Sequence, residues 1–139
     1  MKVVAPVESH DDHFFWAGAK EGRLLIQRCS SCGTLRHPPA PMCGACLSTD
    51  WDAQEASGRG TVYSWILSKH PTREDAEPRV VALIELEEGT RLVSNLVDVE
   101  PAAIENDMAV EVCFVEANDG QVVLPQFRPA GAAGGGATR

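Results

Sequence analysis

The chain of 139 residues is long enough for one ordinary domain, or for a compact domain joined to a small module. Hydrophobic residues make up 44% and charged residues 23%, as in soluble globular proteins. The net charge of −8 lies entirely in residues 51–139, because residues 1–50 carry equal numbers of acids and bases. Nucleic acids and anionic membranes bind cationic surfaces, so this balance argues against both as partners.

The first residues, MKVVAPVESHDD, lack the long apolar run of a signal peptide. No stretch approaches the roughly 20 apolar residues that a membrane span needs. We therefore expect a cytoplasmic protein whose five cysteines stay reduced and available for metal.

Residues 1–28 form a predicted N-terminal helical segment. The pattern predicts a helix over 11–21, with Ser9 or Asp11 as its cap. Three aromatic residues supply its apolar surface: Phe14, Phe15 and Trp16. The following RLLIQR predicts a short strand that leads into the first cysteine.

Residues 29–50 form a predicted zinc ribbon around CSSCGTLRHPPAPMCGAC. The spacing is C-x2-C-x10-C-x2-C, with the ligands Cys29, Cys32, Cys43 and Cys46. Two knuckles of this kind suit tetrahedral Zn²⁺ with four thiolates. Such a site has no open position for water or substrate, so the sequence predicts a structural and not a catalytic metal.

Other interpretations of the cysteines stay open. Iron in the same cage would give a one-electron carrier. Disulfides would need an oxidising compartment, and a redox C-x-x-C pair would need a thioredoxin-like context. His37 could replace one thiolate, although four cysteines already complete the shell.

Residues 58–129 predict a five-stranded OB-fold, so the fold class is mainly β. The five strands and the short helix before the fourth follow from alternating apolar residues and turn signals: 61–68, 80–87, 90–99, helix 101–107, 109–117 and 121–127. Other five-stranded barrels and open sheets have the same pattern. The Gly- and Ala-rich tail, 130–139, is expected to be disordered.

Few other residues are candidates for catalysis or ligand binding. Cys113 lies in the middle of a strand and is interpreted as a small buried hydrophobe, not a nucleophile. Tyr63 and Trp65 are predicted on one face of the first strand, where they would pack in the core or stack on a ligand. The four histidines are scattered, and no catalytic pair is identified from spacing.

Several short motifs occur in a consistent order. They are FFWAGAKEGRLLIQRC, the two cysteine pairs, GRGTVYSW and a closing QFRP. This order resembles the acyl-CoA-associated family that joins a rubredoxin-like zinc ribbon to an OB-fold (domain-of-unknown-function family thirty-five), over about residues 11–129. One departure is Leu47, where a symmetric knuckle would carry Gly.

The resemblance implies a non-catalytic accessory subunit that binds and stabilises a CoA-thioester enzyme and helps to present acyl-CoA. The implied partner is a thiolase-like or aldolase-like enzyme or a hotdog-fold enoyl-CoA hydratase, and the four cysteines match the family's metal positions. Phe14, Phe15 and Trp16 are predicted to anchor that partner. The candidate CoA-binding cations are Lys20, Arg23, Arg28, Arg36, Arg79 and Arg128.

Three functional alternatives remain at this point. A zinc ribbon with an OB-fold could bind single-stranded nucleic acid, although no basic stripe is visible. Iron in the cage would make an electron carrier. An enzyme acting alone on CoA esters would need a nucleophile or base that the sequence does not assemble.

Overall fold

A computed structural model describes residues 2–131 of the chain. Its elements in chain order are α1 (His13–Lys20), β1 (Leu25–Cys29), β2 (Leu35–Arg36), β3 (Trp51–Glu55), β4 (Arg59–Ser68), β5 (Arg79–Leu86), β6 (Arg91–Leu96), a 3-10 helix (Pro101–Ala103), β7 (Ala109–Ala117) and β8 (Val122–Pro129). The mainly β prediction is confirmed. The predicted disordered tail lies largely outside the described residues, which end at position 131.

Contacts divide the chain into two compact units. One unit holds the residues up to Ser57 together with Phe114–Pro125. The other holds Gly58–Cys113 together with the residues from Gln126 onwards. In the part of the chain that the structure describes, no helix is long and apolar enough to span a membrane.

The first unit contains α1 and a three-stranded sheet in the order β2-β1-β3. The helix begins close to the predicted position, but its N-cap is Asp12, and neither Ser9 nor Asp11 caps it. The Asp12 carboxylate instead accepts hydrogen bonds from the backbone N–H and the hydroxyl of Ser9. The helix N-terminus is therefore fixed by a local turn, without a side-chain cap.

Strand β1 is the centre of this sheet and pairs antiparallel with both neighbours. Its last residue, Cys29, lies opposite Trp51 in β3, so the sheet leads directly into the metal-binding segment. Both β2 and β3 were absent from the sequence prediction. The sheet contains residues from both sides of the predicted boundary between residues 28 and 29. The division of this region into a helical segment, 1–28, and a zinc ribbon, 29–50, stays a prediction.

Strands β4 to β8 form a closed barrel in the order β4-β5-β6-β8-β7, which confirms the OB-fold prediction. The predicted helix over 101–107 is reduced to one 3-10 turn, Pro101–Ala103. Alternating residues of β5 are buried, as expected for a strand with one face in a core. The buried side chains of β4, β5 and β8 include Val62, Ile84 and Phe127.

A β-bulge in β4 corrects one prediction. The pairing with β5 skips one residue between Val62 and Ser64, so Tyr63 is unpaired and 47% exposed. An extra residue in one strand reverses the side on which the following residues point. Tyr63 therefore does not share a buried face with Trp65, and its ring instead lies 3.8 Å from the guanidinium carbon of Arg91.

Candidate metal centre

The four cysteine sulfurs of the predicted ribbon converge on one point. Their Sγ atoms all lie within 4.8 Å of one another. The Cys29–Cys46 and Cys32–Cys43 sulfurs are 3.5 and 3.7 Å apart. With Zn–S bonds of about 2.3 Å, a regular tetrahedron has sulfur–sulfur edges of about 3.8 Å. The donor set and its spacing therefore fit a tetrahedral Zn²⁺ held by four thiolates.

The two knuckles have the same backbone hydrogen bonds. In the first, the Cys29 N–H donates to the Thr34 carbonyl and the Gly33 N–H donates to the Cys29 carbonyl, both at 2.9 Å. In the second knuckle, Cys43, Ser48 and Leu47 repeat this pattern, also at 2.9 Å. Each loop thus turns tightly enough to direct both of its sulfurs to the same side.

Each knuckle contributes one buried and one exposed cysteine. Cys29 and Cys43 are buried, and Cys32 and Cys46 are exposed. The backbone N–H of Ala45 also donates to the Cys43 sulfur at 3.4 Å, as is usual for thiolates in metal knuckles. The centre therefore lies at the surface of its unit, with the buried sulfurs anchored to the fold.

The knuckles lower the proton affinity of one thiol and raise that of another. The hydroxyl and backbone N–H of Thr34 hold the pKa of Cys32 down to about 6. The backbone N–H of Ser48 lowers the pKa of Cys46, but the adjacent sulfurs and desolvation outweigh it and raise that pKa to about 12. Four thiolates this close repel one another, so the cluster needs a cation to become fully ionised.

The aromatic residues of α1 differ in exposure. Phe15 is buried against the rings of Trp16 and His37, with centroids 5.0 and 5.1 Å away. Phe15 therefore has little surface to offer a partner, because its helix face points inwards. Phe14 and Trp16 are half-buried, and the Phe14 ring lies 5.0 Å from that of Trp51. Only these two of the three remain candidates for partner contact.

The predicted CoA-binding cations are not equally available. Arg23 pairs with Glu55 at 3.0 Å, and Arg28 binds both carboxylate oxygens of Asp52 at 2.8 and 3.0 Å. The Arg28 guanidinium holds the pKa of the Asp52 carboxyl below its usual range. Paired guanidinium groups of this kind have less charge to offer a phosphate.

Two further arginines face inwards. Arg128 is only 4% exposed and donates to Glu111 at 2.9 Å, so its guanidinium has little surface to offer a CoA phosphate. Arg36 is half-buried and donates to the Ala40 carbonyl. Lys20 and Arg79 are exposed. Lys20 also lines a small open pocket of about 80 Å³ beside Trp16, so one candidate cation and one candidate aromatic residue come together.

The remaining reactive side chains have structural roles. Cys113 is buried, as predicted. His13 pairs with Glu8 at 2.8 Å, and His70 Nδ1 accepts hydrogen bonds from the backbone N–H groups of Thr72 and Arg73. Burial lowers the pKa of His37, which packs on Phe15 and contributes no ligand to the sulfur cluster. No pattern in the sequence predicted that the His37 ring would be buried.

Comparisons with known proteins agree with this geometry. A family model described as the ChsH2 rubredoxin-like zinc ribbon domain matches residues 16–52. A second model, described as the ChsH2 C-terminal OB-fold domain, matches residues 53–115. The ribbon match and the tetrahedral sulfur cluster together identify the centre as a structural zinc site, which replaces the iron alternative.

Two relatives and one solved structure are informative. The chain is 52% identical over 126 residues to a probable enoyl-CoA hydratase alpha subunit of Thermomonospora curvata, covering 90% of this chain and 39% of that protein. It is 38% identical over 104 residues to a DUF35 domain-containing scaffold protein of Methanocaldococcus jannaschii, covering 71% of this chain and 73% of that protein. A chain of the solved Ltp2-ChsH2(DUF35) aldolase superimposes with a TM-score of 0.82 and 52% identity, covering 90% of this chain and 98% of that chain. The present chain thus spans about two fifths of the length of the hydratase alpha subunits that it matches.

Proposed function

The chain belongs to the ChsH2 family of zinc-ribbon and OB-fold proteins, and on this premise we propose that it is a non-catalytic accessory subunit of a CoA-thioester enzyme. Its role is to bind and stabilise that enzyme and to help present acyl-CoA. We place this activity in the cytoplasm. The partner is a thiolase-like or aldolase-like enzyme or an enoyl-CoA hydratase.

The observation that carries this proposal is the closed sulfur cage. Four thiolates fill the tetrahedral shell of zinc, so the ion offers no position to a water molecule or a substrate carbonyl. When bound, the zinc supplies fold stability and no Lewis-acid chemistry. In this proposal the reacting groups come from another subunit.

The names of the relatives support the same role. One solved relative is a chain of the Ltp2-ChsH2(DUF35) aldolase, another relative is a probable enoyl-CoA hydratase alpha subunit, and a third is a DUF35 domain-containing scaffold protein. A subunit and a scaffold are both parts of larger assemblies, which supports an accessory role for the present chain. The present chain shares the fold of the solved relative, with a TM-score of 0.82.

Partner contact is assigned to the exposed parts of Phe14 and Trp16, supported from below by the buried ring of Phe15. Large aromatic side chains dominate interface energetics when they become buried. Help in presenting CoA is assigned to Lys20 beside Trp16, with Arg79 as a separate exposed cation. Because most other cations are paired with acids, the partner must supply much of the charge that CoA phosphates need.

Single-stranded nucleic-acid binding has less support. Tyr63 is an exposed barrel aromatic with a cation beside it, but that cation, Arg91, also pairs with Glu85 at 3.1 Å. Nucleic acid binding draws most of its affinity from unpaired cationic surface.

The double variant Phe14→Ala/Trp16→Ala tests the proposal. The probe is the Ltp2 subunit of the solved aldolase, titrated by isothermal calorimetry. The wild-type chain is expected to bind, and the double variant to bind about a hundredfold more weakly, since two anchors are removed. Ile66→Ala, an equally simple truncation of an exposed apolar residue in the barrel, serves as the matched control.

Melting temperature and zinc content are measured for each variant, so that loss of fold is separated from loss of contact. The isolated wild-type chain is also assayed with acyl-CoA thioesters, and no turnover is expected. Turnover by the chain alone, or failure of the wild type to bind Ltp2, would contradict the proposal. Undiminished binding by the double variant would remove the aromatic residues from the interface.

A further inference from the structure

The two zinc knuckles share one backbone conformation but differ in one residue. The position after the second cysteine is Gly33 in the first knuckle and Leu47 in the second, with φ of 80° and 66°. A left-handed backbone suits glycine and strains a leucine. The second knuckle therefore carries a side chain that its own backbone disfavours.

Packing within the chain does not account for this leucine. Leu47 is 69% exposed, and Met42, just before the knuckle, is 48% exposed. A strained residue with an exposed apolar side chain gains nothing from the fold that contains it. Strained residues of this kind concentrate at functional sites.

The segment around Leu47 also lacks charged side chains, apart from the two thiolates that bind the metal. Residues 38–49, PPAPMCGACLST, contain no acidic or basic side chain, in a chain that is 23% charged overall. The neighbouring hydroxyl groups bond locally, since the Ser31 hydroxyl donates to that of Ser48 at 3.0 Å. Depletion of charge and enrichment of methionine are the compositional marks of an interface core.

A series of contacts connects this segment to the aromatic residues already assigned to the partner. Ser48, next to Leu47, contacts Ser31 of the first knuckle. The first knuckle begins at Cys29, which pairs with Trp51, and the Trp51 ring lies against that of Phe14. The knuckle tip and the aromatic residues thus belong to one continuous part of the same unit.

We propose that Met42 and Leu47 form an apolar tip that inserts into an uncharged, apolar pocket on the partner enzyme subunit. This proposal rests on the function proposed above and names a second contact for it. The Met42 and Leu47 side chains themselves carry no charge, so they fit an apolar pocket, because a charged group in that pocket would be desolvated without compensation. An anionic membrane would need cations around the tip, and this segment has none.

The test is Leu47→Gly, with Ltp2 as the probe. Glycine relaxes the left-handed backbone and removes the side chain, so stability and binding should change in opposite directions. Binding to Ltp2 is expected to weaken about tenfold or more. Melting temperature and zinc retention are expected to equal or exceed those of the wild type. Met42→Ser should also weaken binding to Ltp2.

Val93→Ser is the matched control, because Val93 is 66% exposed and lies in barrel strand β6. Wild-type affinity in Leu47→Gly, or an equal loss in Val93→Ser, overturns the assignment while leaving the proposed function intact. Self-association of the wild-type chain that Leu47→Gly abolishes also overturns it, since the tip would then bind a second copy. If the wild type does not bind Ltp2 at all, the proposed function and this inference fail together.

Discussion

Buried side chains are dense in the barrel and sparse in the cysteine segment. In β5 every second residue from Val80 to Leu86 is buried, whereas Cys43 is the one buried residue between Ser30 and Asp50. The barrel can therefore draw its stability from apolar burial, which the segment around the knuckles lacks. The ribbon must draw its stability from zinc coordination. Two ways of stabilising a fold thus meet in one chain, and each can be disrupted separately.

Removal of zinc should have the largest effect. Chelation is expected to unfold the segment from Cys29 to Cys46, because zinc contributes on the order of 10 kcal/mol or more to such knuckles. Amide spectra should lose the dispersed signals of residues 29–55 and keep those of 58–113. Added Zn²⁺ should restore the lost signals. Equal loss in both regions would show that the barrel also depends on the metal.

Truncation of the barrel core should come next. Ile84 is fully buried in β5, so Ile84→Ala is expected to lower the free energy of unfolding of the barrel by about 2–5 kcal/mol. Val93→Ala, at an exposed position of the adjacent strand, should change it by less than about 0.5 kcal/mol. Denaturant unfolding followed by the amide signals of residues 58–113 measures both. Zinc content should be unchanged in both variants. Loss of zinc in Ile84→Ala would show that the barrel and the ribbon are not stabilised separately.

A pH effect in the ribbon unit should be the smallest. Burial holds the pKa of His37 below its ordinary value, so the unfolded chain binds a proton more readily than the folded chain. The stability that neutral His37 contributes is therefore fully present above the unfolded pKa of about 6.5. It is lost as the pH falls below that value. His37→Phe keeps an aromatic ring against Phe15 and removes the titration.

The measurement is the melting temperature of zinc-loaded protein at about pH 7.5 and about pH 5.5, on either side of the ordinary histidine pKa. The decrease on acidification is expected to be smaller in His37→Phe than in the wild type. Both proteins carry the same four cysteines, so acid release of zinc affects them alike. Identical decreases would show that His37 does not contribute to the pH dependence.

The sequence was informative where one short-range signal dominates. Alternation of apolar residues located all five barrel strands, and the cysteine spacing located the zinc ligands. Strand β3 was missed because WDAQE is short and is rich in Asp, Ala and Glu, which are depleted in strands. Its place depends on backbone pairing with β1 and on side-chain pairs such as Arg28 with Asp52, which are distant in sequence.

The features of the site that the sequence did not predict have the same origin. Which of Phe14 and Phe15 faces inwards depends on how α1 packs, and the two adjacent letters look alike in the sequence. The burial of Arg128 depends on Glu111, which lies on a different strand. The bulge that exposes Tyr63 is a property of the pairing between β4 and β5, not of either strand alone.

Cys29 is both a metal ligand and the last residue of the central strand β1. A slip of β1 by one residue against β3 would move Arg28 into its place opposite Trp51 and turn the sulfur to the other face of the sheet. The cage could not then close. Zinc coordination is therefore compatible with only one register of β1 against β3. The ion thus specifies the strand register of the sheet as well as its stability.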